Sequence, residues 1–381
     1  MQNITFVFLT SRVAKLQNFE NEDIAKEFFY GYPYFNIMEP NVDVIEFGGP
    51  KQGWMYESFW TKFDKILRKL TKLAFFSAEI MQKNKRKKLL ASKEVILVGD
   101  RVAISLLFLF IYIKLTRKEI KSSTFVMGLF SNEPNDIIRK FFYSLFIKLI
   151  LWAGTNFLFL GQGEFQFALN KYKKFSQKFH FIPFSVDFDF WKEDQEYDYA
   201  FRKKILFVGN DGKRDFEKLI NIAKNLPEFE FHFISKRITA NTNIPPNVYL
   251  QGGDWASANI SDKELKNIYK KCKFTIIPLI NSLQPSGQSV ALQSISSGTP
   301  VLISKTDGFW DHNKFKNNKN IILLEDNSVD SWISTIKKTY EDKDKLQELS
   351  QNGKKLIETF YDLKNFYRKM DKVIFLRDPE K

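Results

Sequence analysis

The chain alternates runs that fit β-strands with segments that fit helices, and this alternation limits what it can fold into more than any other feature. Six strand-like runs lie in the first half, at residues 4–9, 42–47, 95–98, 124–130, 156–160 and 180–183, and six in the second half, at residues 205–208, 229–235, 247–250, 273–279, 300–304 and 320–324. Helical patterns separate most of them. Strands joined through helices run parallel, in a sheet that helices cover on both faces. We therefore predict an α/β protein with two doubly wound domains.

The length of the chain and the composition of one segment indicate where the two domains meet. A chain of 381 residues suits two domains better than one. Residues 185–204 carry no helical apolar stripe and are rich in acidic and aromatic residues, so they fit a linker. We predict an N-terminal domain over residues 1–190, a C-terminal domain over residues 200–362, and a final helix over residues 363–381 that returns to the N-terminal domain.

The sequence favours a reducing, cytoplasmic setting. Its single cysteine, Cys272, cannot form an intramolecular disulfide, and its start lacks the charged and then apolar pattern of a signal peptide. The longest apolar run, residues 102–113, has 12 residues, whereas a membrane-spanning helix needs about 20. We expect this run to be a buried helix.

Positive charge concentrates in one stretch of the first half. The formal net charge is +14, and residues 62–88 hold ten Lys or Arg against two acidic residues. Helical spacing predicts an apolar face there, formed by Phe59, Phe63, Ile66, Leu67, Leu70, Leu73 and Ala74, with Lys62, Lys65, Arg68, Lys69 and Lys72 around the other sides. A second helix with aromatics and cations is predicted over residues 139–151. Such helices suit the surface of an anionic membrane; the alternative is ordinary amphipathic packing on their own domain.

Two turns in the second half have the composition of anion-binding sites. In the first, Ser286-Gly287-Gln288-Ser289 follows the strand 273–279 and opens a helix, so backbone N–H groups and the helix dipole can hold an anion. Gly287 lets the backbone come close, and Ser286 or Ser289 can cap the helix. A capped helix that binds nothing is the alternative.

The second turn connects the strand 205–208 to the next helix. It contains Gly209, Asn210 and Gly212, with Lys213 and Arg214 at the helix entrance. Adjacent cations at a helix N-terminus oppose its dipole, so they indicate an anionic ligand in the same space, such as a diphosphate. Two such turns at strand ends predict a phosphate-bearing ligand in a cleft that faces the other domain.

The C-terminal half resembles the family 4 glycosyltransferases, which have two Rossmann-like domains facing across a cleft, the GT-B fold. The resemblance rests on FVGNDGKRD at residues 207–215, on PSGQSVALQ with GTPV at residues 285–301, and on IPFSVDFDFW at residues 182–191. It covers most of residues 180–362 and the N-terminal domain only loosely. It implies metal-independent transfer of a sugar from a nucleotide-sugar with retention of configuration, and no other cofactor.

The chain departs from this family at two positions. The family has two glutamates with seven residues between them, one reaching the donor sugar and the other the nucleotide ribose, where this chain has Pro285 and Gln293. Gln293 can still hydrogen-bond ribose hydroxyls. Pro285 has no polar side chain, so the sugar contacts fall to Gln284, Gln288 or neighbouring backbone. A subgroup of the family with Gln and Ser in this block is similar.

The resemblance and the turns together predict the site residues. Donor contacts are expected from Gly209, Asn210, Gly212, Ser235, Lys236, Ser286, Gly287, Gln288, Ser289 and Gln293. Lys213 and Arg214 are expected to neutralise the charge that grows on the diphosphate. Asp100, at the end of strand 95–98, is expected to orient the acceptor hydroxyl, with Arg101 meeting a phosphate. As alternatives, Asp100 is only a helix N-cap, and Ser235 and Lys236 are ordinary surface residues.

Other motifs give weaker signals. Asp187-Phe188-Asp189 has the spacing of a metal-binding Asp-x-Asp motif, but it lies in the predicted linker. The three histidines are isolated in the sequence, and a single cysteine leaves no zinc-site spacing, so no metal is predicted. Gly161-Gln162-Gly163-Glu164 is an incomplete GxGxxG motif and more simply opens a helix.

The acceptor is predicted from the N-terminal domain. Aromatic and glycine-rich segments at residues 26–35 and 47–60 lie beside the basic helix. The chain is similar to bacterial glycolipid synthases that glycosylate diacylglycerol from UDP-glucose or a related UDP-hexose or hexuronate. This similarity implies a lipid or glycan acceptor and a peripheral location on the inner face of the cell membrane. The alternatives are a soluble glycosyltransferase of surface polysaccharide synthesis and, less favoured, a nucleic-acid-binding protein, for which no module pattern is present.

Overall fold

The computed structural model of the protein describes residues 3–10, 12–16, 23–48, 54–193, 201–239, 243–253 and 260–375. These residues form two compact units. The first unit lies within Met1–Asn18, Phe29–Ile182 and Tyr367–Lys381, and the second lies within Phe19–Phe28 and Pro183–Phe366. Each unit is built around its own six-stranded sheet.

The sheet of the first unit is parallel throughout. Its strands are β1 (Ile4–Phe8), β2 (Val42–Glu46), β3 (Glu94–Leu97), β4 (Lys121–Val126), β5 (Asn156–Phe159) and β6 (Phe179–Phe181). Their order across the sheet is β2-β1-β3-β4-β5-β6, and every neighbouring pair is parallel. The order reverses between β1 and β3, so these two strands end side by side.

Helices connect the strands of the first unit. They are α1 (Val13–Leu16), α2 (Tyr32–Met38), α3 (Trp54–Thr71), α4 (Lys83–Ala91), α5 (Asp100–Ser105), α6 (Leu107–Leu115), α7 (Ile137–Ala153) and α8 (Gln162–Lys171), with 3-10 turns at Ser77–Glu79 and Lys173–Lys178. α8 begins directly after Gly161, which confirms the prediction that this glycine motif opens a helix. The apolar run 102–113 is helical but forms two helices, α5 and α6, that meet at Leu106.

The sheet of the second unit is also parallel throughout. Its strands are β7 (Lys204–Val208), β8 (Phe231–Ile234), β9 (Val248–Gln251), β10 (Cys272–Ile277), β11 (Val301–Ser304) and β12 (Ile322–Leu324). Their order is β12-β11-β10-β7-β8-β9, with parallel pairing at each step. This is a doubly wound order, in which the first strand, β7, lies beside the fourth, β10. The order of the strands across the sheet reverses between these two.

The helices of the second unit are α9 (Phe188–Trp191), α10 (Phe216–Lys224), α11 (Asp262–Lys271), α12 (Gln288–Ser296), α13 (Val329–Glu341) and α14 (Lys343–Phe360). A last helix, α15 (Leu363–Ile374), belongs to the second unit as far as Phe366 and to the first unit from Tyr367 onward. A 3-10 turn at Glu27–Phe29 lies where the chain passes between units near its start.

Burial explains why the strands were recognisable from the sequence. Every residue of β10 and of β11 is buried, because a parallel sheet covered on both faces needs apolar side chains on both sides of each strand. Such strands appear in a sequence as short continuous apolar runs. The predicted fold class, two doubly wound α/β units, is therefore confirmed.

Two predictions differ from the structure in detail. β4 ends at Val126, so the predicted strand 124–130 begins and ends too late; Met127 and Phe130 instead lie in a turn whose amides donate to side-chain carboxylates. The predicted linker is also partly folded. In the second unit, Val186 pairs with Asp362, and Trp191 of α9 is completely buried. The helix α9 is too short to show a hydrophobic periodicity in the sequence. Residues 194–200 of the linker lie outside the described residues.

Candidate functional site

Two turns meet at the point where the strand order of the second unit reverses. One follows β7 and leads through Gly209 to α10; the other follows β10 and leads through Ser286 to α12. Backbone hydrogen bonds join them, from Ile280 N to Lys213 O (2.9 Å) and from Asp215 N to Pro278 O (3.0 Å). Ligands of open α/β sheets bind outside the carboxyl ends of strands at such a reversal. The two turns predicted as anion sites therefore lie side by side, in the expected place.

The buried guanidinium of Arg214 links the two turns. Its side chain is 3% exposed, and its Nη1 lies 3.3 Å from Asp211 Oδ2. Nη1 also donates to Ser286 Oγ (3.1 Å), which in turn donates to Asp211 Oδ1 (2.8 Å). Within the described residues, Arg214 Nε has no hydrogen-bond partner. Burial lowers the pKa of Arg214 despite the nearby Asp211 carboxylate, so an added anion would stabilise this charge.

Two glycines make room for the guanidinium. A Cβ atom at Gly209 would lie 2.2 Å from Arg214 Nε, closer than any side chain permits, and one at Gly287 would lie 3.1 Å from Arg214 Nη1. Gly287 also has φ +81°, a backbone conformation that glycine adopts without strain. Gly209 therefore makes room for the Arg214 side chain where it lies, and Gly287 mainly permits a positive φ at its turn.

A cavity of about 200 Å³ opens beside these turns, wholly within the second unit. It is lined by Phe28, Val208, Gly209, Asn210, Asp211, Arg214, Ile234, Gly253, Ile260, Asp262, Leu265, Ser289, Val290 and Gln293. The lining combines polar groups of the β7 turn with apolar residues of β8, α11 and α12. Such a mixed lining suits a ligand with one charged and one flat or apolar part.

The cavity walls are tied together by Asn210. Its Nδ2 donates to Gly253 O (2.8 Å), and its Oδ1 accepts from Ser235 Oγ (3.1 Å) and Lys236 N (2.8 Å). These bonds use both ends of the amide to join the turn after β7 with the ends of β8 and β9. Asn210 therefore shapes the cavity as well as lining it.

The helix that follows the Ser286 turn starts differently from the prediction. Gly287 is the N-cap of α12 and no side chain caps this helix, so the predicted capping by Ser286 or Ser289 is wrong. The Ser286 hydroxyl is instead engaged by Arg214 and Asp211. α12 is a helix of nine residues whose N-terminus has no side-chain cap and lies beside the buried cation of Arg214. These are features of an anion site.

The predicted donor residues fall into two groups. Gly209, Asn210, Arg214, Ser289 and Gln293 line the cavity. The residues Gly212, Lys213, Ser235, Lys236, Ser286, Gly287 and Gln288 are not among its lining residues; Lys236 and Gly212 are exposed, Lys213 is half-buried, and the other four are buried. Sequence reasoning missed Asp211, Asp262 and Phe28. Asp211 stands between two chosen residues and was open to prediction, whereas nothing in the sequence relates Phe28 to this site.

Asp100 lies in the first unit, just after β3, where the strand order of that sheet reverses. Gly99 is the N-cap of α5, so the alternative of Asp100 as a helix N-cap is wrong. Both Asp100 carboxylate oxygens lie 3.2 Å from Met127 N. Burial raises the pKa of Asp100 to about 7. Arg101 is exposed, and its guanidinium lies 5.1 Å from the centre of the Phe76 ring.

A second buried carboxyl lies near Asp100. Glu164 Oε1 accepts from Phe130 N (3.0 Å), while its Oε2 has no hydrogen-bond partner among the described residues. Burial and the nearby Asp100 raise the pKa of Glu164. The two acids favour sharing a proton over carrying two charges. Glu164 had no predicted role beyond its place in a helix.

The basic helix differs from its predicted form. α3 ends at Thr71, and Lys72 has φ +60°, so Leu73 and Ala74 are not on the helical face. Leu67 is buried, whereas Phe59 and Ile66 are 61% and 56% exposed. α7 packs beside α3 and exposes three further apolar residues at its start, Ile137, Ile138 and Phe141.

The cations of this region do not act alike. Four lysines of this region are exposed: Lys62, Lys65, Lys69 and Lys72. In contrast, Arg68 Nη1 donates to Phe75 O, and its guanidinium lies 4.8 Å from the centre of the Phe76 ring.

In the part of the chain that the structure describes, no helix is both long and apolar enough to cross a membrane.

Metal binding depends on clusters of ligating side chains among the described residues. These residues contain no cluster of three or more His, Cys, Asp or Glu side chains that could hold an ion. The Asp187 side chain of the Asp-x-Asp motif accepts from Phe190 N (3.3 Å) at the start of α9 and from Lys26 N (3.2 Å). Its role in this structure is to hold local backbone.

Comparison with known proteins gives one family match. Residues 236–356 match the model of the glycosyl transferases group 1, a stretch that includes α11, the Ser286 turn and α12. No curated protein matches the chain by sequence.

Solved structures with a similar fold cover nearly the whole chain. The structure of HepE from Anabaena in complex with UDP-glucose has a TM-score of 0.64 at 10% identity, covering 99% of this chain and 100% of HepE. Sucrose-phosphate synthase from Thermosynechococcus elongatus has a TM-score of 0.66 at 12% identity, covering 99% of both chains. TarM has a TM-score of 0.55 at 14% identity over 74% of this chain, which spans about half, 54%, of TarM. The family match and the shared two-sheet fold support a glycosyltransferase of the GT-B type.

Proposed function

We propose that the protein transfers a sugar from a nucleotide-sugar, of the UDP-hexose or UDP-hexuronate type, to a hydroxyl group of a membrane lipid such as diacylglycerol. The proposal includes retention of configuration and no metal requirement. Its chief support is the Arg214 guanidinium, buried between two glycine turns with Nε unpartnered among the described residues. A buried cation with spare donor capacity favours an anionic ligand.

The donor fits the cavity by its chemical parts. A diphosphate can lie beside Arg214 and the N-terminus of α12, both of which favour negative charge. The ribose and base can occupy the part lined by Gln293, Ile260 and Leu265. HepE is described in complex with UDP-glucose, and this supports UDP as the nucleotide to test first.

The reaction needs stabilisation of the leaving group. As the bond between the sugar and the diphosphate breaks, negative charge grows on the departing oxygen. The Arg214 guanidinium is preorganised to donate hydrogen bonds to this oxygen, because Asp211 and Ser286 already hold it in place. We assign Lys213 the supporting role of a second positive charge in the same turn. In the first unit, Asp100 is the proposed group that orients the acceptor hydroxyl.

The lipid acceptor is supported by the surface of the first unit. Exposed apolar side chains on α3 and α7 lie among exposed lysines. An anionic bilayer can satisfy both, because apolar side chains enter the acyl boundary while lysines meet the headgroups. A peripheral location on the cytoplasmic face of the membrane follows from this proposal.

The decisive experiment measures transfer from radiolabelled UDP-sugars to diacylglycerol in anionic vesicles. We expect a glycolipid product from at least one UDP-sugar, formed equally well in excess EDTA. Absence of turnover with UDP-, GDP- and ADP-sugars and with both lipid and glycan acceptors would contradict the proposal. The anomeric configuration of the product, measured by NMR, tests retention separately.

A second candidate is a glycosyltransferase that acts on a polysaccharide away from the membrane. One observation favours it: Arg68 and Lys85 are engaged by backbone carbonyls of their own unit, which reduces the cationic surface left for lipids. Vesicle flotation separates the two candidates. The membrane enzyme should float with anionic vesicles at low salt and detach as salt rises, whereas the second candidate should stay in the aqueous fraction throughout.

A further inference from the structure

A short segment near the start of the chain packs onto the second unit. Residues 23–28 belong to that unit although β1 and β2 on either side belong to the first. Ala25 N donates to Asp262 Oδ2 (3.0 Å), Lys26 N donates to Asp187 Oδ2 (3.2 Å), and Asp23 pairs with Lys263 (2.9 Å). Phe28 lines the cavity. The segment is therefore part of the wall of the candidate site.

Glu27 carries the main polar contact of this segment. Its side chain is 1% exposed. Oε1 accepts from Gln293 Nε2 (2.8 Å) and from Trp191 Nε1 (2.9 Å), and Oε2 accepts from Asp187 N (3.3 Å). Glu27 thus forms a hydrogen bond with Gln293, which lines the cavity. Gln293 is at the position where the glycosyltransferase family that this chain resembles has a glutamate.

These bonds determine which way the Gln293 amide points. The Trp191 indole nitrogen can only donate, so Glu27 Oε1 must be an acceptor. In the structure the NH₂ group of Gln293 lies on that side and donates to the same oxygen. The Gln293 carbonyl oxygen consequently faces Tyr269, whose hydroxyl lies 3.3 Å away and donates to it. In this orientation both contacts of the Gln293 amide pair a donor with an acceptor.

We propose that Glu27 is a positioning residue for the donor nucleotide, holding the Gln293 amide in one orientation at the cavity wall. The proposal rests on the proposed function and deepens it. With one N–H used by Glu27 and one lone pair used by Tyr269, Gln293 keeps one donor and one acceptor. That pair matches a vicinal diol such as the ribose of a nucleotide, in which one hydroxyl accepts and the other donates.

The surroundings of Glu27 agree with this role. Burial, with the carboxylates of Asp262 and Asp187 nearby, raises the pKa of Glu27 to about 8. A proton held near neutral pH would sit on Oε2, because Oε1 already accepts two hydrogen bonds. Protonation therefore leaves the Glu27–Gln293 contact in place, and the amide keeps its orientation in both charge states.

The test is a double-mutant cycle read by UDP affinity. Calorimetric titration of the full chain with UDP compares the unsubstituted protein with Glu27→Ala, Gln293→Ala and the double variant, with melting temperatures recorded for each. We expect each single change to weaken UDP binding about tenfold, the effect of losing one good hydrogen bond. The double variant should bind no more weakly than the weaker single variant, because both act through one amide.

The matched control is Asp23→Asn, which removes an exposed ion pair of the same segment and should leave UDP affinity unchanged. Effects that multiply in the double variant, or an unchanged affinity in Glu27→Ala, would overturn the inference and leave the proposed function intact. If Glu27→Ala does not fold, Glu27→Met, which is similar in length and has no oxygen acceptor, replaces it in the same cycle. Failure of the unsubstituted protein to bind UDP, GDP or ADP would overturn the proposed function and this inference with it.

Discussion

At the scale of single residues, Arg214 has the clearest role in the site. We expect Arg214→Ala to reduce the transfer rate by about 2–4 kcal/mol of transition-state stabilisation, the range seen for one preorganised donor. Lys213→Ala should cost less, because Lys213 does not line the cavity. Steady-state kinetics with a UDP-sugar measures both. Lys224→Ala, an exposed cation at the end of α10, is the control, and equal losses in all three variants would contradict the assignment.

We expect Gly209 to affect UDP binding through the position of the Arg214 side chain. A methyl group there would fall 2.2 Å from Arg214 Nε, so Gly209→Ala must displace the guanidinium. We expect UDP binding to weaken about as much as in Arg214→Ala, together with a stability loss of about 1–3 kcal/mol from overpacking. Gly252→Ala is the matched control, because nothing lies within 4 Å of its Cβ position. Unchanged UDP affinity in Gly209→Ala would show that Arg214 does not touch the nucleotide.

Glu27 predicts a pH dependence of stability with a definite sign. Its pKa is raised from 4.5 to about 8, chiefly by burial. Between these values the folded state holds a proton that the unfolded chain has released, so this group makes the protein less stable as pH rises. Glu27→Gln removes that contribution. The stability of Glu27→Gln relative to the unsubstituted protein should therefore increase from pH 5 to pH 8, by an amount on the order of a few kcal/mol.

Urea unfolding at pH 5 and pH 8 measures this difference. Glu94, Asp100 and Glu164 also have raised pKa values, so both proteins should lose stability with rising pH. Only the difference between them reports Glu27. A difference that stays constant across this range would mean that the Glu27 carboxyl ionises at its ordinary pKa in the folded protein.

At the scale of elements, the surface formed by α3 and α7 is the part most open to test. Ile137, Ile138 and Phe141 at the start of α7 are each more than half exposed. Replacing all three by serine should weaken binding to anionic vesicles by at least about tenfold, because each buried apolar side chain contributes about 1.5–3 kcal/mol. Folding should be little affected, since these side chains contribute little to the core.

Vesicle flotation measures the partition coefficient of this triple variant. Phe201→Ser is the matched control, because Phe201 is 84% exposed in the second unit, outside the proposed membrane surface. Equal flotation of the triple variant and the unsubstituted protein would remove α7 from the membrane proposal. Loss of flotation in both variants would indicate that exposed apolar residues bind vesicles nonspecifically, wherever they lie on the protein.

At the scale of the whole molecule, ligand binding should appear as added stability. A nucleotide present at 100 times its Kd adds about 2.7 kcal/mol to the unit that binds it. We expect UDP, and more strongly its sugar conjugate, to raise the melting temperature. Because the cavity lies entirely in the second unit, any transition belonging to that unit should shift. A panel of UDP, GDP and ADP by thermal shift identifies the base, and equal shifts by free pyrophosphate would indicate a phosphate site without base recognition.

The elements of this protein were largely predictable because their signals are local. Strand runs such as residues 301–304 are continuous and apolar, since both faces of the sheet are covered, and helices such as α11 show their periodicity within a few turns. The two turns were found because glycine, serine and adjacent cations at strand ends have a meaning that does not depend on distant residues. Errors arose where tertiary contacts ended an element, as where Met127 and Phe130 donate to distant carboxylates after β4.

The amino-acid sequence by itself determined the two doubly wound units and the place of two glycine-containing turns in the second, because hydrophobic patterning and turn chemistry act over a few residues. Only the tertiary structure decided which groups form the cavity. Arg214 is buried between glycines from separate turns, and Glu27 meets Gln293 across a sequence separation of 266 positions. Such contacts depend on packing between distant segments, and no local pattern encodes them.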